Sequence, residues 1–560
     1  MCEATDATVC VGLLHAIAAA AGVLVEDART VISERVSSQG QLDRAMVERD
    51  EQQAVHGLAW WATYSQVLAN VAQWAAELHR NGDLGATEVR LAQLLAAEYV
   101  AQLAGGVPMG QSELVRPSHL GLTAAHVRAR FGEPLLDRLD DLALDAAADI
   151  AKFLVPGTGV ATLENAGLGA ELDQVRSEFR RFADQKIAPY AQGWHRNNDL
   201  IPLDLMQDLA ELGVLGLTIP EEYGGAGMGK VAMCVVSEEL SRGYLGVGSL
   251  PTRTEIAAEL ILASGTQAQR EAWLPKLARG DIIPTAAFTE PGSGSDLASL
   301  RTRANRNRDD FDVTGSKTWI THAARADLMT LLVRTDPASH DHRGLSMLLA
   351  PKSRATEHED FPDAGLSGSE IPVIGYRGMR EYELAFDGFR VPAENLLGGV
   401  VGLGFKQLMN TFESARIQTA ARALGVAQCA LEIGLGYASE RQQFGRPLSA
   451  FPRVRNKLAM IAAEIVGVRQ LTYFAARRKD EGLRCDLEAG MAKLLAARVA
   501  WAAADSVLQI HGGNGYSMEY PVSRLLADAR VLNIFEGAAE VQAQVIGRRL
   551  LEPTNARTPA

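Results

Sequence analysis

The sequence predicts a mainly α-helical protein with a central antiparallel β-barrel domain. Three observations predict it. Alanine- and leucine-rich segments with helical spacing fill residues 1–160, a helical extension, and residues 161–281, a second helical domain. Between residues 282 and 394, short β-prone runs alternate with turns. From 395 to 553 helical periodicity returns in long segments, as in a four-helix bundle. A chain of 560 residues exceeds one ordinary domain, for which about 100–200 residues is usual. Residues 554–560 read as a frayed tail.

The first apolar run, Val11 to Val25, is interrupted by His15 and preceded by Glu3 and Asp6. It lacks a basic leader and is shorter than a membrane span, so a buried helix of a cytoplasmic protein is expected. From Glu51 to Arg80, Val55, Leu58, Ala59, Ala62, Val67 and Val71 recur near a helical period. His56, Trp60 and Trp61 in that stretch suit a helix interface better than a ligand site, because Trp supplies large buried area. Val155-Pro156-Gly157-Thr158-Gly159 has linker chemistry. In the β region PTAAFTE, DFDVTGSKTWIT, LMTLLVRT, GLSMLLAPK and YELAFDGFRVP read as strands. Thr314-Gly315-Ser316 is expected to form a hairpin turn.

Composition narrows the function. Hydrophobic residues make up 47% and charged residues 22%, ordinary for a globular protein. A net charge of -13 argues against nucleic acid as a partner, which rewards basic surfaces. It leaves room for a local basic pocket. The five cysteines form no CxxC pair and read as unpaired thiols of a reducing compartment. No metal site is expected.

Six short motifs carry chemistry. In Phe288-Thr289-Glu290-Pro291-Gly292-Ser293-Gly294-Ser295-Asp296, small residues let backbone N–H groups approach an anion or a polar ring edge. In Lys317-Thr318-Trp319-Ile320-Thr321, the Trp-x-Thr spacing puts indole and hydroxyl on one strand face. Arg441 to Leu448 follows a helix; Arg441 offers a planar donor fork suited to phosphate. Gln509 precedes a glycine-rich break, Gly512-Gly513-Asn514-Gly515, and Tyr516. Phe412-Glu413-Ser414-Ala415-Arg416 places an arginine on a helix, either on a solvated face or buried with a partner. Last, Glu536 sits in the turn Phe535-Glu536-Gly537, between helical stretches Pro521–Ile534 and Ala538–Leu551.

In this order and within these domains, the motifs resemble the acyl-CoA dehydrogenase flavoproteins over about Leu172 to Glu552. The resemblance implies FAD as cofactor. Phe288, Thr289, Ser295, Trp319 and Thr321 would contact it, with Thr289 at the pyrimidine edge and Thr321 at flavin N5. Arg441, Phe444, Phe451, Gln509, Gly512 and Gly513 would reach the dinucleotide of a neighbouring subunit, which implies a homo-oligomer, a dimer or a tetramer. Ser295, Glu413, Arg416 and Gly537 would bind the CoA thioester, and Glu536 would remove its α-proton. Some relatives carry that base at the position of Ala415; here only Glu536 is available. The chain departs from the family at His322-Ala323, at Phe451-Pro452 and at Ala538-Ala539, where a hydroxyl contact to FAD is lost.

The implied reaction is α,β-dehydrogenation, with the β-hydrogen leaving as hydride to FAD and reoxidation by an electron-transferring flavoprotein. Donors at the thioester carbonyl and exclusion of water, which raises the basicity of Glu536, would make the α-proton removable. The N-terminal helical region and the phrase GYRGMREYELAFDGFRVPAENLLG resemble the branch of this family that acts on methylsuccinyl-CoA, and that resemblance implies a short branched substrate with a distal carboxylate, oxidised to mesaconyl-CoA in the ethylmalonyl-CoA route. Arg253 is the expected carboxylate ligand, with a salt bridge to Glu255 as its structural alternative; Arg377 and Arg380 are further candidates. Rival readings are a dehydrogenase of another short or branched acyl-CoA, an acyl-CoA oxidase, and a flavin-carrying DNA-binding relative.

Overall fold

The computed structural model describes residues 7–38, 41–110, 112–154, 163 and 165–552. The expected linker at 155–159, the tail at 554–560 and Cys2 lie outside them. In chain order the helices are α1 (Ala7–Val36), α2 (Gln52–Asn81), α3 (Ala86–Gly105), α4 (Ala124–Phe131), α5 (Glu133–Phe153), α6 (Ala170–Lys186), α7 (Ala188–Asn197), α8 (Leu203–Glu211), α9 (Lys230–Gly243), α10 (Leu245–Ser264), α11 (Gln267–Ala278), α12 (Gly404–Glu440), α13 (Pro452–Asp480), α14 (Asp486–His511), α15 (Pro521–Val531) and α16 (Ala539–Leu551). The main sheet comprises β1 (Pro284–Ala287), β2 (Arg303–Asn307), β3 (Asp310–Thr321), β4 (Leu328–Arg334), β5 (Leu345–Pro351), β6 (Leu366–Ile371) and β7 (Glu381–Pro392). The chain divides into two compact units, residues 1–178 with 419–560, and residues 179–418.

In the first unit, helices from both ends of the chain share one core. The stripe Cys10, Leu14, Ile17, Ala21, Leu24 and Ala28 of α1 is buried at helical spacing, and α1 packs on α2. The opposite face leaves Val9 and Val23 exposed, so α1 is buried along a stripe rather than throughout, as the sequence suggested. The helix also runs well beyond Val11–Val25. Both α1 and α13 are long and apolar enough to cross a membrane, and α13 is mostly buried within the protein. Helix α2 packs against α13 and α16, and α3 and α5 against α13. Trp60 and Trp61 are buried in this layer, and His56 bonds Gln544 of α16 at 2.9 Å, an interface role as expected. Glycines set the closeness of approach: a Cβ on Gly467 would stand 2.6 Å from Leu95, and one on Gly547 2.5 Å from the Val55 carbonyl.

In the second unit the sheet order is β6-β7-β3-β2-β4-β1, with β5 on β4. Most pairs are antiparallel, but β1 pairs in parallel with β4, as does Arg303 of β2 with Arg334. The sheet is therefore mixed rather than purely antiparallel. Strands β4 and β5 are buried on both faces and read as continuous apolar runs. One face packs Phe311, Val313, Leu331 and Phe386, and the other packs Leu328, Leu332 and Met347 with Ile256, Leu260 and Leu274 from α10 and α11. Gly315 is not in a turn. It lies within β3 at φ 147, where a Cβ would stand 2.7 Å from Thr302. The hairpin turn falls at Arg308-Asp309, between paired Asn307 and Asp310. The four described cysteines, Cys10, Cys234, Cys429 and Cys485, form no disulfide among the described residues.

Candidate active site

In the first unit, α15 ends at Val531 and α16 begins at Ala539, leaving Phe535-Glu536-Gly537 as a turn. Glu536 has φ 53 and Gly537 φ 91. A left-handed glutamate is uncommon and persists only where its surroundings hold it. Here Lys493 donates to the Gly537 carbonyl at 2.5 Å, Gln542 to the Glu536 carbonyl at 3.3 Å, and the Ala539 N–H to Asn533 at 3.1 Å. Asn533 is itself tied to the Ala497 carbonyl at 3.1 Å. The turn is thus fixed from α14, α16 and its own start.

The Glu536 carboxylate accepts from the Thr419 hydroxyl and, at 2.5 Å, from the Arg422 guanidinium. Arg422 also donates to Thr419 at 2.8 Å and lies 5.2 Å from the centre of the Phe535 ring. Its side chain is fully buried and that of Glu536 is 14% exposed. A hydroxyl and a buried guanidinium thus fix the orientation of the Glu536 carboxylate. Sequence reasoning missed Thr419, Arg422, Lys493 and Gln542. The signal for Arg422 was available: an arginine inside the apolar stretch of α12, by the logic already applied to Arg416.

The first unit also carries Arg441, Phe444, Phe451, Gln509, Gly512 and Gly513. Phe444 has φ 53 and is 93% exposed on the short hairpin Gln442–Gln443/Arg446–Pro447. It meets Phe451 edge-on at 6.2 Å, and Arg446 stands 4.2 Å over Phe451. Arg441 and Gln509 are exposed. A Cβ on Gly512 or Gly513 would meet nothing within 4 Å, so this backbone faces open space that a ligand can approach.

In the second unit, Glu290 anchors the small-residue loop. Its carboxylate accepts from the backbone N–H of Arg301 at 2.7 Å and Thr302 at 2.8 Å, and from Lys317 at 2.9 Å. Burial opposes charge on Glu290, yet Lys317 and these donors hold it below the usual carboxylate range. Burial pushes Lys317 down to about 8 against the pull of Glu290. Lys317 also donates to the Phe288 carbonyl at 2.9 Å, and the Thr318 N–H to the Thr289 carbonyl at 3.0 Å. These bonds bring the loop and the Trp-x-Thr segment together, with Gly292, Gly294 and Ser295 exposed.

Trp319 has φ 59 and is 56% exposed, although it lies within β3. The pairing register with β7 shifts here, with Ile320 opposite Tyr382 and Lys317 opposite Leu384. That bulge breaks the strict two-residue alternation from which a shared face was expected. Thr321 is buried and bonds Glu381 at 3.0 Å.

Arg253 on α10 is half-buried and donates to the Tyr376 hydroxyl at 3.2 Å. The alternative bridge to Glu255 does not form, because Glu255 pairs with Lys230 and Thr218. Arg377 binds the Val373 and His195 carbonyls, each at 2.9 Å, and Arg380 lies 3.4 Å from Glu370. Both hold backbone or partner rather than an open pocket. Glu413 and Arg416 are half-buried on α12, with Arg416 5.7 Å from the Phe412 ring centre.

Comparison with known proteins places three stretches of the chain in one family. Residues 169–281 match the acyl-CoA dehydrogenase N-terminal domain, 285–389 the middle domain and 402–551 the C-terminal domain. The chain is 58% identical over 530 residues to (2S)-methylsuccinyl-CoA dehydrogenase of Cereibacter sphaeroides, covering 94% of this chain and 96% of that protein. It is 36% identical over 374 residues to the mitochondrial short-chain specific acyl-CoA dehydrogenase of Homo sapiens, covering 66% of this chain and 88% of the human protein. The solved butyryl-CoA dehydrogenase of Megasphaera elsdenii superposes with a TM-score of 0.65 at 33% identity, covering 69% of this chain and 99% of that one. The chain belongs to the acyl-CoA dehydrogenase family, FAD-dependent oxidoreductases that dehydrogenate acyl-CoA thioesters.

Proposed function

We propose that this dehydrogenase oxidises (2S)-methylsuccinyl-CoA to mesaconyl-CoA, with Glu536 as the α-proton base. The observation that carries the substrate is the reach of the similarity. At 58% identity it covers 94% of the chain, including the N-terminal helical layer, whereas the human short-chain enzyme matches 66%.

The residues present fit FAD. The second unit offers an exposed indole, Trp319, beside an anchored loop of small residues, and the first offers open glycine backbone at Gly512 and Gly513. Phe288, Thr289, Ser295, Trp319 and Thr321 would hold the cofactor. Arg441, Phe444, Phe451, Gln509, Gly512 and Gly513 of a neighbouring copy would complete its site, for which Phe444 at 93% exposure is suited. FAD, when bound, would supply the acceptor for the β-hydride, with an electron-transferring flavoprotein as the onward electron acceptor.

This chain's own residues do the rest. Arg422 and Thr419 orient Glu536. The Glu536 backbone N–H donates to the thioester carbonyl, where charge grows as the α-proton leaves. Ser295, Glu413, Arg416 and Gly537 hold the CoA thioester, and Arg253, beside Tyr376, takes the distal carboxylate. Residues 1–160, 161–281, 282–394 and 395–553 then serve as extension, helical domain, β domain and helical bundle of a cytoplasmic homo-oligomer.

An anaerobic panel of (2S)-methylsuccinyl-, butyryl-, isobutyryl-, isovaleryl- and glutaryl-CoA tests the substrate by bleaching of the flavin absorbance. Rapid bleaching by methylsuccinyl-CoA above the others is expected. Preference for a monoacyl-CoA overturns the substrate and the role of Arg253.

A further inference from the structure

We propose that Glu381 is a positioning residue: its carboxyl decides which way the Thr321 hydroxyl donates, and so whether that proton reaches the flavin edge. The proposal rests on the assignment of Thr321 to that edge.

Glu381 opens β7 directly opposite Thr321, the last residue of β3. Thr321 Oγ1 and Glu381 Oε2 stand 3.0 Å apart, and both residues are buried, at 6% and 5% exposure. The second carboxyl oxygen, Oε1, has no hydrogen-bond partner among the described residues. A buried carboxylate with one hydrogen bond is disfavoured, whereas the neutral acid is tolerated.

A hydroxyl carries one proton, and an ionised carboxylate can only accept. With Glu381 ionised, the Thr321 proton is committed to it. With Glu381 protonated, the acid donates to Thr321 Oγ1, and the Thr321 proton turns to a different acceptor. One proton on Glu381 therefore reverses the polarity of the pair.

The charged and titratable neighbours are few. Arg253 on α10 favours the ionised form of Glu381, and its guanidinium also reaches Tyr376. His322, next in the chain, is neutral, because burial pushes its imidazole down to about 3, helped by Arg325, Arg253 and Arg354. Arg380, just before β7, and Tyr382 flank Glu381 in the chain, and Arg380 pairs with Glu370. Burial outweighs Arg253 and pushes Glu381 up to about 8, so the acid form prevails at neutral pH.

The test uses the FAD-loaded enzyme as wild type, Glu381→Gln, Thr321→Val and the double variant. Oxidised flavin absorbance and FAD affinity are followed as pH is raised through about 8. Wild type is expected to show a one-proton step in the spectrum near that pH. Glu381→Gln removes the step while FAD stays bound, and Thr321→Val both shifts the spectrum and removes the step. Adding Glu381→Gln to Thr321→Val changes nothing further, since the effect passes through Thr321. A step that survives Glu381→Gln, or a Glu381→Gln effect undiminished by Thr321→Val, overturns the proposal. A Thr321→Val spectrum identical to wild type at every pH overturns it together with the assignment of Thr321 to the flavin. If Glu381→Gln does not fold, the shorter Glu381→Asp no longer reaches Thr321 and is expected to lose the step; a step retained there overturns the proposal.

Discussion

Arg422 governs what Glu536 can do. A fully buried guanidinium and a nearly buried carboxylate stand 2.5 Å apart, with Thr419 bonded to both. Removing one member leaves the other charge stranded, which typically destabilises by about 3–5 kcal/mol. Arg422→Met is therefore expected to lower stability by about 3 kcal/mol in chemical denaturation, and to lower kcat as the base loses its orientation. Arg422→Lys keeps the charge but loses the planar guanidinium whose Nη2 donates to both Thr419 and Glu536, and should recover stability more than activity. Unchanged stability in Arg422→Met would mean that the ion pair does not form in solution. The pair Lys317 and Glu290 works at the same scale in the β domain, joining a strand to the loop before it through a carboxylate with three donors.

At the level of elements, the turn between α15 and α16 is the feature that aims Glu536, the proposed base. Gly537 at φ 91 follows Glu536 at φ 53, and a Cβ on Gly537 would stand 1.9 Å from the Gln542 amide. Gly537→Ala adds left-handed strain and displaces Gln542, which holds the Glu536 carbonyl. A stability loss of about 1–2 kcal/mol is expected by thermal melting, with a larger fall in kcat than in stability would suggest. Much at this scale was legible in the sequence. Five of the seven main strands were readable, β4 and β5 most plainly through their continuous apolar runs. The other two, β2 and β6, were not, because RANRN and LSGSEI are largely exposed and polar. Gly315 misled because glycine marks both turns and close backbone contacts; only the packing against Thr302 distinguishes them. Motifs placed Glu536 and the residues assigned to FAD in recognisable segments. Their partners were hidden because Thr419 and Arg422 are far from Glu536 in sequence and meet it only through tertiary packing.

For the whole molecule, the N-terminal helices are part of a core rather than an attachment. Arg498 of α14 is buried and bonds Tyr64 of α2 at 2.5 Å, the Pro108 carbonyl at 3.3 Å, and Glu464 of α13. Tyr64 stacks on Tyr99 of α3 at 4.0 Å. Deleting residues 1–160 would strip α13, α14 and α16 of this layer and leave Arg498 without Tyr64. The truncated chain is expected to aggregate or to lose its cooperative melting transition; a soluble, cooperatively melting truncation would contradict the shared core. The same layer is where this chain exceeds its short-chain relatives, so it ties architecture to the proposed substrate.

The most direct measurement is single-turnover flavin reduction by (2S)-methylsuccinyl-CoA under anaerobic conditions, comparing wild type with Glu536→Gln. Wild type should bleach rapidly. Glu536→Gln should retain FAD and bind the substrate, yet reduce at least about 100-fold more slowly, the scale of a lost general base. Bleaching at the wild-type rate in Glu536→Gln would remove Glu536 from the chemistry.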